Sequence, residues 1–469
     1  MNKFRFIIAL WAGKVCALLI GLFFPKKGSN KSGEIACRIH PGFLNGFTGI
    51  DPEKTIFITG TNGKSTTNNL IVHVFRAAGK TVATNLEGAN QKPGIATTLI
   101  KTSGCFGRMK PEYLILEVDE RNLAAVYGSI PAKYLCVTNI QKDQVQRNGD
   151  PDYIYQKIKA VVNEDITIFV NNEEPRSKSL AALAGDTVSF GVAKNERGSL
   201  KEAGFGVSLP CPLCHDAIEF DYYNLANVGR FSCPSCGFGS DETPDVQISG
   251  VDYEKGTFTI RGEIFHLGYA AAHFLYNYAL GYAVCTALGL RISEIQKAFE
   301  TFTNIGGRLE VFRFGEKQIR YIRMKQENPE TLQSVLDDIS ADSAEKVFLA
   351  GLETIHDITP YYSNTFYAFD CNFEPFVSSN VEKCICFGKG ICFDTANRLI
   401  YAGVPFEKIV VVESDDESAV LEALAKCRSN NVYLISTIKA YEHLRKRAEG
   451  TKPHIEDVAN PHGTEENDR

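Results

Sequence analysis

The sequence predicts an α/β chain of two doubly wound units, the first with a phosphate-binding loop and an inserted four-cysteine ribbon. Three observations predict it. Short, continuously apolar runs alternate with helical stretches from residue 54 onward. One of these runs leads directly into the glycine-rich loop Gly60-Thr61-Asn62-Gly63-Lys64-Ser65-Thr66-Thr67. Two CxxC pairs interrupt the first series, and a fresh series of strands and helices begins after Gly306-Gly307-Arg308.

The chain has 469 residues, 44% hydrophobic and 23% charged, which is enough apolar material for two or three globular domains. A formal net charge of −6 gives no overall basic field, so nucleic acid is not the expected partner. Of the 14 cysteines, four stand in the CxxC pairs. The other ten, such as Cys136 and Cys285 inside apolar runs, read as small core hydrophobes in a reducing cytosol.

Residues 1–49 form the lead-in. Residues 4–24 are strongly apolar, but Arg5 and Lys14 interrupt them and Pro25-Lys26-Lys27 ends them. A signal peptide would export the phosphate-binding loop that follows, away from cytosolic phosphate ligands. A spanning helix would set Lys14 near the bilayer centre at roughly 2.5 to 3.5 kcal/mol. The expectation is therefore a cytoplasmic protein whose first helix packs on the protein or lies at the inner membrane surface.

Residues 50–305 form the central domain. Runs at 55–59, 113–117, 134–138 and 166–170 are continuously apolar, as strands of a parallel sheet covered on both faces must be. Several end in a polar residue at the carboxyl edge, where such folds bind ligands. A segment rich in Cys, Pro and Gly at about 204–243 is an insertion, after which 246–250 and 257–260 alternate as antiparallel strands and a helix spans about 270–288. Residues 306–449 form the second α/β domain, with strands near 319–322, 347–349, 365–369, 382–387, 409–412 and 431–435. The acidic stretch 450–469 has little apolar content and is expected to be disordered.

The run at 56–58 feeds the loop, and a helix is expected from about Asn68. Backbone N–H groups of such a loop point at phosphate oxygens, Lys64 can neutralise the β- and γ-phosphates, and Ser65 can ligate Mg²⁺. Glu117, at the end of a strand, is a second oxygen ligand suited to that ion. Cys211, Cys214, Cys233 and Cys236 follow a C-x2-C-x18-C-x2-C spacing, two knuckles whose thiolates can surround Zn²⁺ tetrahedrally. Four sulfurs leave no open position, so the zinc is structural, and His215 beside it reads as a bystander.

The loop TGTNGKST at 59–66 resembles the nucleotide loop of the Mur ligases and folylpolyglutamate synthetases. Further matches follow in the same order: Asn85-Leu-Glu-Gly-Ala-Asn90, Glu117-Val-Asp-Glu120, Thr138-Asn139, Asp143-Gln144, Arg147, Asn277 within Tyr-Asn-Tyr-Ala-Leu, and Gly307-Arg308. The resemblance implies a Mur ligase-type central domain and a Rossmann-like last domain. It places Gly60, Thr61, Asn62, Gly63, Lys64, Ser65, Thr66 and Asn85 around ATP, Asn277 against the adenine, and Arg308 on the phosphates. Lys64 and Glu117 then serve catalysis with Mg²⁺. The four-cysteine ribbon narrows the resemblance to the MurT-type synthetase subunits of the family.

That branch implies ATP-dependent amidation of the α-carboxylate of D-glutamate in the stem peptide of lipid II. The amine is ammonia from a GatD-type class I glutaminase subunit, expected as a heterodimer partner. This chain shows no nucleophile elbow with an evident partner histidine of its own. The last domain departs from the family pattern, reading Lys325-Gln-Glu-Asn328-Pro329-Glu-Thr-Leu-Gln333 and, at 357–370, keeping only Asp357 and Asp370 at the ends of a replaced segment. By position, Asp357 is expected to supply the acidic third member of the partner's Cys-His pair. The alternative within the same fold is a ligase that adds an amino acid; the ribbon, and the absence of a full UDP-binding domain ahead of the loop, speak against it.

Overall fold

The computed structural model describes residues 3–23, 30–85, 89–142, 150–195, 209–225, 227–268, 272–302, 309–322, 328–352, 370–414 and 416–450. They fall into two compact units, one of residues 1–142 and 150–305, the other from residue 306 onward.

The first unit is built on β1 (Thr55–Thr59), β2 (Val82–Ala83), β3 (Tyr113–Glu117), β4 (Tyr134–Val137), β5 (Thr167–Asn171) and β6 (Asp186–Val192). A hairpin follows, β7 (Glu219–Leu225) with β8 (Val228–Ser232), and then β9 (Val246–Asp252), β10 (Thr257–Ile260) and β11 (Glu263–His266). Nine of these make one sheet in the order β11-β10-β9-β6-β5-β4-β1-β3-β2. All five residues of β1 are buried. Ile56 and Ile58 belong to the apolar cluster on one face and Phe57 to that on the other. Burial on both faces is why Ile56, Phe57 and Ile58 are apolar in succession instead of alternating. β1 lies between β3 and β4, so its carboxyl end opens in the middle of the sheet edge.

One expectation is met but incomplete, and one needs correction. β9 is antiparallel to β10 but parallel to β6, with Phe190 opposite Val246. The alternating pattern reported only the half-exposed edge beyond it. The helix after the loop is Lys64–Ala77, four residues earlier than expected. Gly63 takes φ +83° and turns the chain sharply enough for Lys64 to enter the helix at once. Because β6 and β9 are neighbours, the cysteine segment between them leaves the sheet and returns to its next strand. Helix Ala272–Ala287 covers that part of the sheet, apolar all round and packed in the core.

The first helix, Lys3–Phe23, packs on helices Lys31–Ile39 and Lys92–Thr102. Phe6, Ala9, Leu10 and Gly13 are its buried positions. Lys14 turns to the protein, donating to the carbonyls of Ile100 (2.7 Å) and Ser103 (2.8 Å). Of the cysteines outside the CxxC pairs, seven are buried: Cys136, Cys285, Cys371, Cys384, Cys386, Cys392 and Cys427. Cys16 and Cys37 are half-buried, and Cys105 is exposed and is no core residue. It sits in the turn that Gly104 N–H closes onto the Arg108 carbonyl.

The second unit has β12 (Leu309–Phe314), β13 (Lys317–Ile322), β14 (Lys346–Gly351), β15 (Val381–Phe387), β16 (Ile409–Val412) and β17 (Asn431–Ser436). They form one sheet in the order β12-β13-β17-β14-β15-β16. All pairings are parallel except β12 with β13. In the divergent stretch at 325–333, Asn328 is buried and its side chain accepts Thr331 N–H (2.9 Å), with Pro329 opening helix Pro329–Ala341. That is an N-cap followed by proline at the first helical position. The strand expected at 365–369 lies outside the described residues.

Candidate functional site

The carboxyl ends of β1, β3 and β4 converge around residues 60–67. Gly60 has φ +116°, and a side chain there would meet Thr138 Oγ1 at 2.4 Å and the Asn139 carbonyl at 2.7 Å. The chain after β4 braces the loop from this side. The Asn139 carbonyl accepts Thr61 N–H (2.8 Å), its side chain accepts Asn62 N–H (2.9 Å) and donates to the Asn62 carbonyl (3.0 Å). Gln141 holds Thr61 and Asn62 likewise, through Thr61 Oγ1 and Asn62 Nδ2.

These bonds revise the expected anion cradle. The N–H groups of Thr61 and Asn62 are committed to Asn139. Those left for an anion belong to the helix start. Thr67 N–H makes the first intrahelical bond, to the Gly63 carbonyl (2.9 Å). The groups just before it have no carbonyl within the helix to meet, and the helix dipole adds to their pull on negative charge.

Lys64 lies folded over the loop. Its Nζ donates to the carbonyls of Gly60 and Thr61 and to Glu120 Oε1 at 2.7 Å. Both side chains are nearly buried, at 8% and 10% exposure. Burial pushes the Glu120 carboxyl above its ordinary value, and the Lys64 charge pulls it back. A buried ion pair of this kind leaves each partner costly to strip alone. Next to it, burial of Asp119 is outweighed by Arg121, bound at 3.1 and 2.9 Å, which holds that carboxyl below its ordinary value.

Ser65 Oγ donates to Glu117 Oε2 at 2.6 Å, and Asn90 Nδ2 donates to Oε1 at 2.9 Å. Asn85 pins the backbone of Glu117 from both sides, accepting its N–H (3.0 Å) and donating to its carbonyl (2.8 Å). A hydroxyl and a carboxylate fixed this close are hard oxygen donors that fit Mg²⁺. On the far side of the loop, Asn277 Oδ1 accepts Thr67 Oγ1–H (3.2 Å) and lies 2.4 Å from where a Gly63 side chain would begin. Gly63 is therefore needed both for its backbone angle and for this approach. Asn277 Nδ2 is buried with no hydrogen-bond partner among the described residues.

The structure thus brings together Gly60, Thr61, Asn62, Gly63, Lys64, Ser65, Thr66, Asn85, Glu117 and Asn277. Arg308 and Asp357 lie outside the described residues, as do Asp143, Gln144 and Arg147. Glu120, Asn90, Asn139 and Gln141 are the working neighbours that spacing did not assign. Glu120, Asn90 and Asn139 stood inside quoted motifs but carried no role.

In the ribbon, the four sulfurs of Cys211, Cys214, Cys233 and Cys236 lie within 4.8 Å of one another. Two of the separations are 3.7 Å (Cys211 to Cys236) and 3.5 Å (Cys214 to Cys233). A tetrahedral centre with metal–sulfur bonds of about 2.3 Å has sulfur edges of about 3.8 Å, so the set fits such an ion. The two knuckles are built alike. His215 and Gly237 each follow the second cysteine with positive φ (69° and 74°), and each donates N–H to the first cysteine's carbonyl at 2.9 Å.

The ribbon is joined to the sheet by a buried polar group. Glu173, just past β5, accepts Val192 N–H (2.9 Å), Asn224 Nδ2 (3.2 Å) and the Tyr276 hydroxyl. Asn224 lies on β7, so this carboxylate connects hairpin, sheet and core helix. Burial raises its pKa to about 7 against the pull of these donors.

Residues 58–232 match the Mur ligase middle domain, and residues 326–441 match the MurT ligase C-terminal domain. Among curated relatives, the lipid II isoglutaminyl synthase (glutamine-hydrolyzing) subunit MurT of Staphylococcus aureus (strain COL) is 27% identical over 365 residues, 77% of this chain and 80% of that one. The subunit of the same name from Streptococcus pneumoniae (strain ATCC BAA-255 / R6) is 24% identical over 431 residues, 90% of this chain and 92% of that one. Among solved structures, a pseudomurein peptide ligase type C from Methanothermus fervidus superimposes with a TM-score of 0.62 at 17% identity, over 87% of this chain and 80% of that one, which is a likeness of fold.

Proposed function

This chain belongs to the Mur ligase family, and we propose on that premise that it amidates the α-carboxylate of D-glutamate in the stem peptide of lipid II. That it is a carbon–nitrogen ligase of peptidoglycan synthesis follows from the relatives and from the two family domains. The observation that supports the finer reading is the match of residues 326–441 to the MurT ligase C-terminal domain, which carries the name of the subunits that this chain resembles over most of its length.

In this reading ATP phosphorylates the carboxylate, ammonia attacks the acyl phosphate, and D-isoglutamine, ADP and phosphate leave. Phosphorylation converts a poor leaving group into a good one. Lys64 exchanges Glu120 for a phosphate oxygen and meets the charge that develops in transfer. Ser65 and Glu117 would hold Mg²⁺, which would neutralise phosphate charge. Asn85 and Asn90 fix the backbone and carboxylate of Glu117 for that role. Asn277 would offer its amide donor to the base, and the family resemblance assigns Arg308, which lies outside the described residues, to the phosphates. Zn²⁺ held by the four cysteines shapes the ribbon and takes no part in the chemistry.

Both relatives are named as subunits, and we assign this chain a class I glutaminase partner of the GatD type in a heterodimer, acting in the cytoplasm on lipid II at the inner membrane face. Purified chain is assayed with ATP and lipid II, using ammonium, glutamine with the glutaminase subunit, or amino acids as nitrogen source. The reading requires a product in which one hydroxyl is exchanged for an amino group. Turnover with an amino acid alone would replace it with the ordinary Mur reaction. Asp357→Asn tests the proposed share in the partner's Cys-His pair: glutamine-fed activity should fall by about 10² or more while ammonium-fed activity is largely kept. Equal loss with both sources removes Asp357 from that role.

A further inference from the structure

The helix Lys3–Phe23 has two apolar faces, and only one is covered. The packed face holds Phe6, Ala9, Leu10 and Gly13. The opposite face carries Phe4, Ile8, Trp11, Val15, Leu18 and Leu22, with exposures from 46% to 74%. Their spacing of four and three residues sets them in one line along a helix, and from Phe4 to Leu22 that line is about 27 Å long. Patches of this extent mark a binding surface.

Lys14 would be the charge to break such a surface, but it is drawn to the packed side by the carbonyls of Ile100 and Ser103. The same two bonds tie the helix to the domain. Its packing is also close: a side chain at Gly13 would meet Ile100 Cδ1 at 2.6 Å and the Ser32 carbonyl at 3.2 Å. A helix so held lies along its domain and presents one side.

Charge names the occupant. The helix packs against Lys31–Ile39 and Lys92–Thr102. Residues 1–50 and 89–111, which contain these three helices, hold one acid, Glu34, in a chain whose formal net charge is −6. Against it stand Lys3, Arg5, Lys31, Arg38, Lys101 and Lys110, all exposed. Glu34 is itself taken by Arg38 (2.6 Å) and Lys31 (3.5 Å). Phe106, 79% exposed, adds an apolar tip on the adjoining loop, next to Gly107, which lies against Phe6. An apolar line bordered by basic residues is the pattern that binds an anionic bilayer surface.

We propose that this helix docks the protein, lying flat, on an anionic membrane, its apolar line entering the headgroup and acyl boundary while Lys14 stays bound to the domain. The surface is independent of the ATP site and of the substrate assignment, so vesicle binding is read without turnover.

The full chain is sedimented with phosphatidylcholine vesicles and with vesicles of phosphatidylcholine mixed with phosphatidylglycerol. Binding should favour the anionic vesicles and weaken when salt rises from about 0.1 M to about 1 M, as the Debye length falls from about 10 Å to about 3 Å. Leu18→Asp with Leu22→Asp should weaken it by more than about tenfold, each lost leucine removing apolar burial. Both side chains already face solvent, so thermal stability should not change. Lys101→Glu with Lys110→Glu should weaken binding to the anionic vesicles alone. Release of bound protein by alkaline carbonate fits a docked helix, whereas retention as an integral protein overturns the flat arrangement. Equal binding to both vesicle types, or none, overturns the proposal. So does a dimer in solution that the leucine pair dissociates, because the apolar line would then belong to a second copy.

Discussion

The nucleotide loop and the cysteine ribbon are both short segments between strands, yet they are held in different ways. The loop rests on buried β1 and is fastened by its neighbours: Asn139, Gln141, Glu120 and Asn277 each bond to it. The ribbon has a private core of Cys211, Ile218, Phe231 and Cys233, half of it cysteine. The loop is thus ready before its ligand arrives, whereas a core as small as the ribbon's is expected to need a bound metal for order. The contrast predicts which site survives when each is emptied.

Removing metal should give the largest effect. Structural zinc contributes about 10 to 16 kcal/mol to the folding of comparable small peptides. Chelation under reducing conditions should therefore open residues 209–243 to amide exchange while β1 and β3 stay protected. Elemental analysis should find zinc stoichiometric with the chain, and Cys233→Ser should abolish it. Protection unchanged after complete metal removal would end the idea that the ribbon is metal-built.

Lys64→Ala acts on the other side of the comparison. Loss of one such electrostatic contact typically lowers turnover by about 10² to 10³, or about 2.7 to 4 kcal/mol. The variant should still fold but with lower stability, since Glu120 is left buried without its cation, and turnover is therefore compared well below its melting temperature. Single-turnover rates with near-normal phosphoryl transfer would remove Lys64 from the chemistry.

The same contrast explains how much was legible. The interiors of β1 and β3, Ile56 to Ile58 and Leu114 to Leu116, are apolar at every step because both faces are covered, and Lys64, Ser65 and Glu117 occupy fixed places relative to them. The strands that escaped notice border solvent or lie apart from the main sheets, such as β7, β11 and the start of β6, where neither apolar run nor clean alternation survives. Within the site, the pairs Lys64 with Glu120 and Asn62 with Asn139 are 56 and 77 residues apart. They meet only because the sheet order sets β1 between β3 and β4. Side-chain pairing of that kind follows from topology and is not written in local spacing. The cysteine set was legible because each knuckle is local.

A smaller effect sits where the two regions join. Glu173 has its pKa raised from 4.5 to about 7 by burial. The folded state thus binds the proton more tightly than the unfolded one. The stability it contributes is fully present below about pH 4.5 and is lost as pH rises through about 7, to the extent of about 3 kcal/mol. Glu173→Gln keeps an acceptor for Tyr276 and Asn224 without the charge. Melting temperatures across this window should flatten in the variant and rise relative to the parent above pH 7. Parallel curves would mean that the carboxylate is not buried at the joint.

The smallest effect separates turn from ligand within the ribbon itself. His215 and Gly237 occupy equivalent places after the second cysteine of each knuckle, both with positive φ and the same N–H bond. A residue with a β-carbon in this region costs about 1 to 2 kcal/mol, and glycine none. Histidine tolerates it better than most residues, so His215→Gly should raise the stability of the ribbon by about 1 kcal/mol or less, the wider freedom of glycine in the unfolded chain offsetting part of the gain. Zinc content should stay the same, because the four sulfurs already complete a tetrahedron. The measurement is competitive chelation followed through the unfolding of the ribbon. A weaker hold on zinc in His215→Gly would mean that the imidazole serves the metal, and the likeness of the two knuckles would then be one of backbone only.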